Sequence, residues 1–171
     1  MTTTASKRAN TFQGSRVFIG LRPTIFDNVE DQHITLEYVG SFPDWKELIM
    51  KCERWANKFA YMPVTVEVNG YGNWLATNNG DHRYFDVALI GFREYPELTY
   101  QKNWHITLGK DTKPIKPRQF DIMKDADKFD ICDDLWIGYK KADGTSAWIR
   151  YLGNRGTLMP QELEPESWQV E

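Results

Sequence analysis

The sequence holds little cysteine, little histidine and no long apolar run, and each shortage removes a class of protein. Two Cys in 171 residues, Cys52 and Cys132, cannot form a disulfide framework, and no CxxC spacing is present. Three His and two Cys place no two ligands on adjacent helical turns or in a knuckle, so no metal is expected. No apolar stretch approaches a membrane span, and Met1 to Ser15 lacks the apolar core of a signal peptide. A cytoplasmic protein in a reducing compartment, with no membrane partner, is the expectation. Neither sign of charge dominates. With 21 Lys and Arg against 24 Asp and Glu, the net charge is −3 and the pI is near 5.7. No broad basic surface is available to grip long nucleic acid, and no DNA partner is expected. Neither GxxxxGK[ST], GxGxxG nor GxSxG occurs, which leaves no support for a nucleoside triphosphatase, a dinucleotide cofactor or a serine hydrolase. What remains is 41% hydrophobic and 26% charged, the balance of one folded domain, with aromatics at 14%.

Along the chain, residues 1–15 are polar and read as a frayed arm, and a single domain spans 16–152. Residues 153–171 form an acidic tail. Arg16 to Arg22 reads as a strand stopped by Pro23. In His33-Ile-Thr-Leu-Glu-Tyr-Val39 the alternation is strict, with His33, Thr35 and Glu37 on one face and Ile34, Leu36 and Tyr38 on the other. Trp45, Leu48, Ile49, Cys52, Trp55, Ala56 and Phe59 then recur at helical steps, giving an amphipathic helix over about 44–60. Asp44 with Glu47 predicts a capping box, with Ser41 as the competing cap. Val64 to Val68 alternates as a strand, and Asn69-Gly70 and Gly72-Asn73 predict an irregular stretch or a bulge. Tyr84 to Phe92 reads as a buried strand. Pro117 starts a second helix through about Asp125. Phe129 to Lys140 and Ser146 to Leu152 read as strands joined at Asp143-Gly144.

The chain also repeats itself. His33-Ile-Thr-Leu36 reappears as His105-Ile-Thr-Leu108, each followed by a predicted helix and strand. Ile, Thr and Leu are ordinary strand residues, but two of only three His opening the same tetrapeptide is not explained by strand composition. On a strand, residues two apart share a face at roughly 6.5–7 Å, so each His–Thr pair points into one space. Two facing lobes would bring the pairs together. Imidazole titrates near neutral pH and can act as base or acid, while Thr hydroxyls donate to the oxygens on which charge grows. Two His and two Thr around one phosphate need no metal.

This paired His-x-Thr motif resembles the 2H phosphoesterases. That superfamily includes LigT-like RNA 2′-5′ ligases and cyclic phosphodiesterases, viral 2′-5′ phosphodiesterases, and phage nucleases that destroy cyclic oligonucleotide alarm signals. The resemblance covers residues 16–152 in layout and is specific at the two tetrapeptides. It implies an α+β bilobal fold: two antiparallel sheets with outer helices and a central cleft. It also implies His33 and His105 as the catalytic pair, with Thr35 and Thr107 orienting the phosphate. The segment from Phe92 to Trp104 is short for the helix that many LigT-like members carry there.

The expected activity is a metal-independent phosphodiesterase acting on ribonucleotides: cyclic oligonucleotide signals, 2′,3′-cyclic phosphates or 2′-5′ linkages. A viral enzyme that clears a host cyclic-nucleotide signal is one form of it. The acidic balance favours a small nucleotide or cyclic oligonucleotide partner, with short RNA as a further candidate. Trp74, Tyr71, Tyr139, Trp104 and Trp136 are candidates for stacking on bases, and Lys102 and Lys110, flanking the second motif, for attracting phosphate. Trp74 is the preferred stacking residue because its Gly-Asn-rich surroundings read as irregular rather than packed. Against the enzyme stand a nucleotide- or RNA-binding module on the same scaffold and an interaction protein that binds no nucleotide. His82, in a polar turn, reads as solvated surface, and Cys52 as core.

Overall fold

The structure, a computed structural model, describes residues 11–60, 62–78, 80–111, 122–130, 134–141, 143 and 145–151. The tail over 153–171, Cys132 and the first ten residues lie outside them. Among the described residues, eight strands form two antiparallel four-stranded sheets, and with two helices they make an α+β protein. Among the described residues, no helix is long and apolar enough to cross a membrane. The chain divides into two compact units. One comprises residues 1–21, 35–61 and 130–171, the other 22–34 and 62–129.

The first unit is built on β1 (Ser15–Leu21), β2 (Ile34–Gly40), β7 (Trp136–Lys140) and β8 (Ser146–Arg150), in the order β2-β1-β7-β8. Helix α1 spans Trp45–Lys58 and buries Leu48, Cys52 and Ala56, the centre of the predicted stripe. Burial pushes the Cys52 thiol well above its usual range, as befits an inert core residue. The capping box does not form. Asp44 caps α1 without a side-chain hydrogen bond, its carbonyl accepting Leu48 N–H at 3.0 Å. Ser41 instead accepts the Arg16 N–H at 3.1 Å. Glu37 of β2 takes hydrogen bonds from Lys51 and Trp55 of α1, each 2.8 Å. Burial alone would raise its pKa, but these two donors hold the carboxyl below its ordinary value.

The expected arm ends earlier than Ser15. Thr11 bridges Asp44, and the Phe12 N–H donates to the Pro43 carbonyl at 2.8 Å. Phe12 is fully buried, its ring edge-on to Trp45 at 5.4 Å and to Tyr139 at 5.0 Å. Gly14 is what makes room: a Cβ there would stand 2.6 Å from Phe12 and 2.7 Å from Tyr139.

The second unit contains β3 (Val64–Asn78), β4 (Asp81–Phe92), β5 (His105–Asp111) and β6 (Ala126–Phe129), ordered β5-β4-β3-β6. Of the two forms predicted over Asn69 to Asn73 the structure has the bulge, between Val68 and Gly70, and β3 continues through it to Asn78. Between β4 and β5 the chain makes one short helix, α2 (Pro96–Thr99). Side chains brace that turn: Glu94 accepts from the Thr65 N–H and hydroxyl, and Trp104 donates to the Leu98 carbonyl at 2.8 Å. The single strand expected over 129–140 is broken, since β6 ends at Phe129 and β7 starts at Trp136 in the other sheet. Of the helix expected over 117–125, only 122–125 are described. Ile122 there forms an isolated bridge to Phe26, not a helical turn. The two units therefore do not correspond to the first and second halves of the chain, although each motif strand, β2 or β5, lies at a sheet edge.

Candidate functional site

The boundary between the units falls inside the first tetrapeptide, after Ile34. The second unit thus holds His33, His105, Thr107, Trp74, Tyr71 and Lys110, and the first holds Thr35 and Tyr139. Both motifs alternate as read: Ile34, Leu36, Ile106 and Leu108 are buried, while His33, Thr35, His105 and Thr107 are half-exposed. Tyr38 departs from the pattern and is 60% exposed, because β2 outruns the core at its far end.

The two histidines are held alike. In each, Nδ1–H donates to the carbonyl two residues earlier: His33 to Asp31 and His105 to Asn103, both at 2.9 Å. A carbonyl can only accept, so Nδ1 carries the hydrogen, and the titrating position of each ring is Nε2. The rings also feel each other. Burial lowers the pKa of His33, the Asp31 carbonyl opposes this, and the nearby His105 lowers it further. His33 is therefore biased toward the neutral form.

Cross-strand register assigns the faces of the second sheet. His105 pairs with Leu89 and Thr107 with Val87 on β4, and these pair with Gly70 and Gly72 on β3. A bulge between Val87 and Asp86 then advances β5, so that Lys110 pairs with Phe85, itself opposite Trp74. Directly paired residues share a face. Simple alternation would put Lys110 opposite to Thr107; the bulge turns it onto the histidine face, a common use of bulges beside functional groups. Trp74 lies on this face too, its ring 4.6 Å from that of His105 and edge-on to it. The indole leans across Gly72, where a Cβ would meet Trp74 Nε1 at 3.1 Å and Val87 at 3.3 Å.

Three expected binding residues, Tyr71, Tyr139 and Trp104, lie elsewhere. Tyr71 pairs with Ala88, which places it on the face opposite the histidines, with its ring beside Phe26. Three positions from Trp74 on a continuous strand, it cannot share that residue's face. Tyr139 is 5% exposed and packs on Phe12 in the first unit, so it is a core residue. Trp104 is likewise core. Trp136 has the Arg150 guanidinium over its ring at 4.9 Å. His82 is exposed as expected and shares a hydrogen bond with Thr77 at 3.1 Å. Among the described residues, no three His, Cys, Asp or Glu side chains gather as a metal site.

The face carrying Tyr71 also buries Asp86 completely. Neither carboxyl oxygen has a hydrogen-bond partner of good geometry among the described residues. Burial raises its pKa against the pull of the Val87 N–H, and Asp86 in turn adds to the upward shift of Tyr71 caused mainly by burial. A carboxyl whose folded pKa lies above its unfolded value costs stability as pH rises from the unfolded toward the folded pKa. Asp86→Asn is therefore expected to gain stability over wild type as pH rises above the ordinary carboxylate value, the margin levelling off once the folded carboxyl ionises. Thermal melts from about pH 4 to about pH 8 check it, and a margin independent of pH would exclude Asp86 as the cause.

No protein-family model matches this chain, and no curated protein sequence is significantly similar to it.

Proposed function

We propose that the protein is a metal-independent phosphodiesterase of the 2H type, cleaving ribonucleotide phosphodiester bonds with His33 and His105. The observation that carries this is the matched pair of Nδ1–H bonds to backbone carbonyls, which leaves proton exchange on both rings to Nε2. Two rings held in the same tautomer suit a reaction that needs a proton removed at one oxygen and delivered at another. His33 is assigned as the base, since its neutral form is favoured, and His105 as the acid. His33 Nε2 takes the proton from the attacking oxygen. His105 Nε2–H returns one to the leaving oxygen. With a free 2′-OH as nucleophile the products are a 2′,3′-cyclic phosphate and a 5′-hydroxyl; with a 2′,3′-cyclic phosphate as substrate, the base activates water.

Thr107 supplies a hydroxyl donor to the non-bridging oxygens. Lys110, on the Thr107 face, adds positive charge for the phosphate. Hydrolysis in EDTA of a panel of cyclic di- and trinucleotides, 2′,3′-cyclic phosphates and 2′-5′ oligoadenylates tests the assignment. The expected pH profile is bell-shaped. Its acid limb, where His33 gains a proton, has its midpoint below the ordinary imidazole value of 6.5. Nucleotide binding without turnover would make the protein a binding module instead.

A further inference from the structure

His105 is the first residue of β5, but His33 stands outside β2, at the end of a loop running from Arg22. A proton-transfer group on a loop needs its backbone fixed by something other than a ladder. The residue before it does this. Gln32 is 9% exposed, and its side chain bonds only to the backbone of its own loop. Oε1 accepts the N–H groups of Ile25 at 3.0 Å and Phe26 at 2.9 Å. Nε2 donates to the carbonyls of Phe26 at 2.7 Å and Val29 at 3.2 Å. Every donor and acceptor of the amide is used. Asn28 and Asp31, both at positive φ, fold the loop around it, and the Asp31 carbonyl then receives His33 Nδ1–H. The outer side of the loop is tied down by Asp127, which accepts Thr24 N–H at 2.9 Å, and by Met123 N–H on the Ile25 carbonyl at 2.7 Å.

We propose that Gln32 is the positioning residue for His33: its amide replaces a β-ladder and sets the place and tautomer of the imidazole. The role rests on the phosphodiesterase reading for its catalytic consequence, but the coupling between the two residues does not. Gln32→Met keeps length and removes all four bonds; Gln32→Glu keeps the two acceptor contacts and sets a carboxylate against two carbonyls. Misplacing a reacting group by about 1 Å costs on the order of 10²-fold. Gln32→Met is thus expected to lower kcat by about 10- to 100-fold with KM within about twofold, and Gln32→Glu to fall between it and wild type.

The second readout is the titration of each imidazole Cε1–H by NMR in the full-length protein. In both variants the His33 midpoint should rise toward the ordinary value, in Gln32→Met because the loop opens to water and in Gln32→Glu also because a carboxylate now stands near the ring. A His33 midpoint unchanged in a folded Gln32→Glu protein, or equal movement of both histidines, would overturn the proposal. If Gln32→Met does not fold, the split between kcat and KM in Gln32→Glu decides, since charge alone does not lower kcat at constant KM. Absence of turnover in wild type would instead sink the phosphodiesterase reading, and the titration would still settle the coupling.

Discussion

His33→Ala and His105→Ala are each expected to lower turnover by about 10²–10⁴-fold, the usual contribution of a positioned acid or base. The two losses should not add. A base without its acid stalls at the departing oxygen, and an acid without its base stalls at the attacking one, so the double variant should lie close to the worse single variant. Each ring is half-exposed and its Nδ1 bond goes to the backbone of its own approach segment. Removing either should therefore leave the strands in place. Steady-state rates on the best substrate of the panel, with thermal melts beside them, make the comparison. Either variant retaining a tenth of wild-type turnover while folded would rule out the two-histidine mechanism. The limbs of the pH profile give the assignment of roles: residual activity in His33→Ala should lose the acid limb, and in His105→Ala the alkaline one.

How far the sequence foretold this site depends on the range of the forces that shape it. The two tetrapeptides were legible because alternation is a local rule, and Ile34, Leu36, Ile106 and Leu108 are buried as it requires. Helix α1 was legible for the same reason, its stripe having a period that survives any tertiary context. Lys110 was placed beside the motif by proximity alone. Its face is set by a bulge, a mismatch with β4 that no property of β5 announces. Trp74 was expected in an irregular stretch because Gly and Asn disfavour strands. Gly72 is tolerated in β3 because the Trp74 indole occupies the space over it that a side chain would need.

Gln32 carried no signal at all. Its four partners are backbone groups of a loop whose course depends on Phe26 packing beside Tyr71 and on the bridge to Ile122. Tyr71 itself read as a base-stacking residue, since an aromatic beside glycines looks the same whether it faces a ligand or the underside of the sheet. The division into units was equally hidden. The repeated motif suggested sequential halves, whereas β7 returns to pair with β1 and β8 with β7, and the β1–β7 pairing is a long-range one that local pattern does not encode.

Phe12→Ala is expected to destabilise the first unit by about 3–5 kcal/mol, the range for deleting a fully buried aromatic ring. The ring is enclosed from two sides, by Trp45 at the start of α1 and by Tyr139 in β7. Edge-to-face pairs of this kind add about 0.5–1.5 kcal/mol beyond burial. Its loss also weakens what the backbone around it does, because Phe12 N–H on Pro43 and Phe42 N–H on Gly14 tie residues 12–14 to the chain before α1. Shrinkage of the void is limited: Gly14 has no side chain to swing in, and the Tyr139 ring already rests against it. Denaturant unfolding should show a lower midpoint with an unchanged m-value. A loss under about 1 kcal/mol would mean that residues 11–15 are the loose arm their polar composition suggests. A truncation beginning at Gln13 should cost more than the substitution, since it also removes the Phe12 N–H bond to Pro43 and the Thr11 bridge to Asp44.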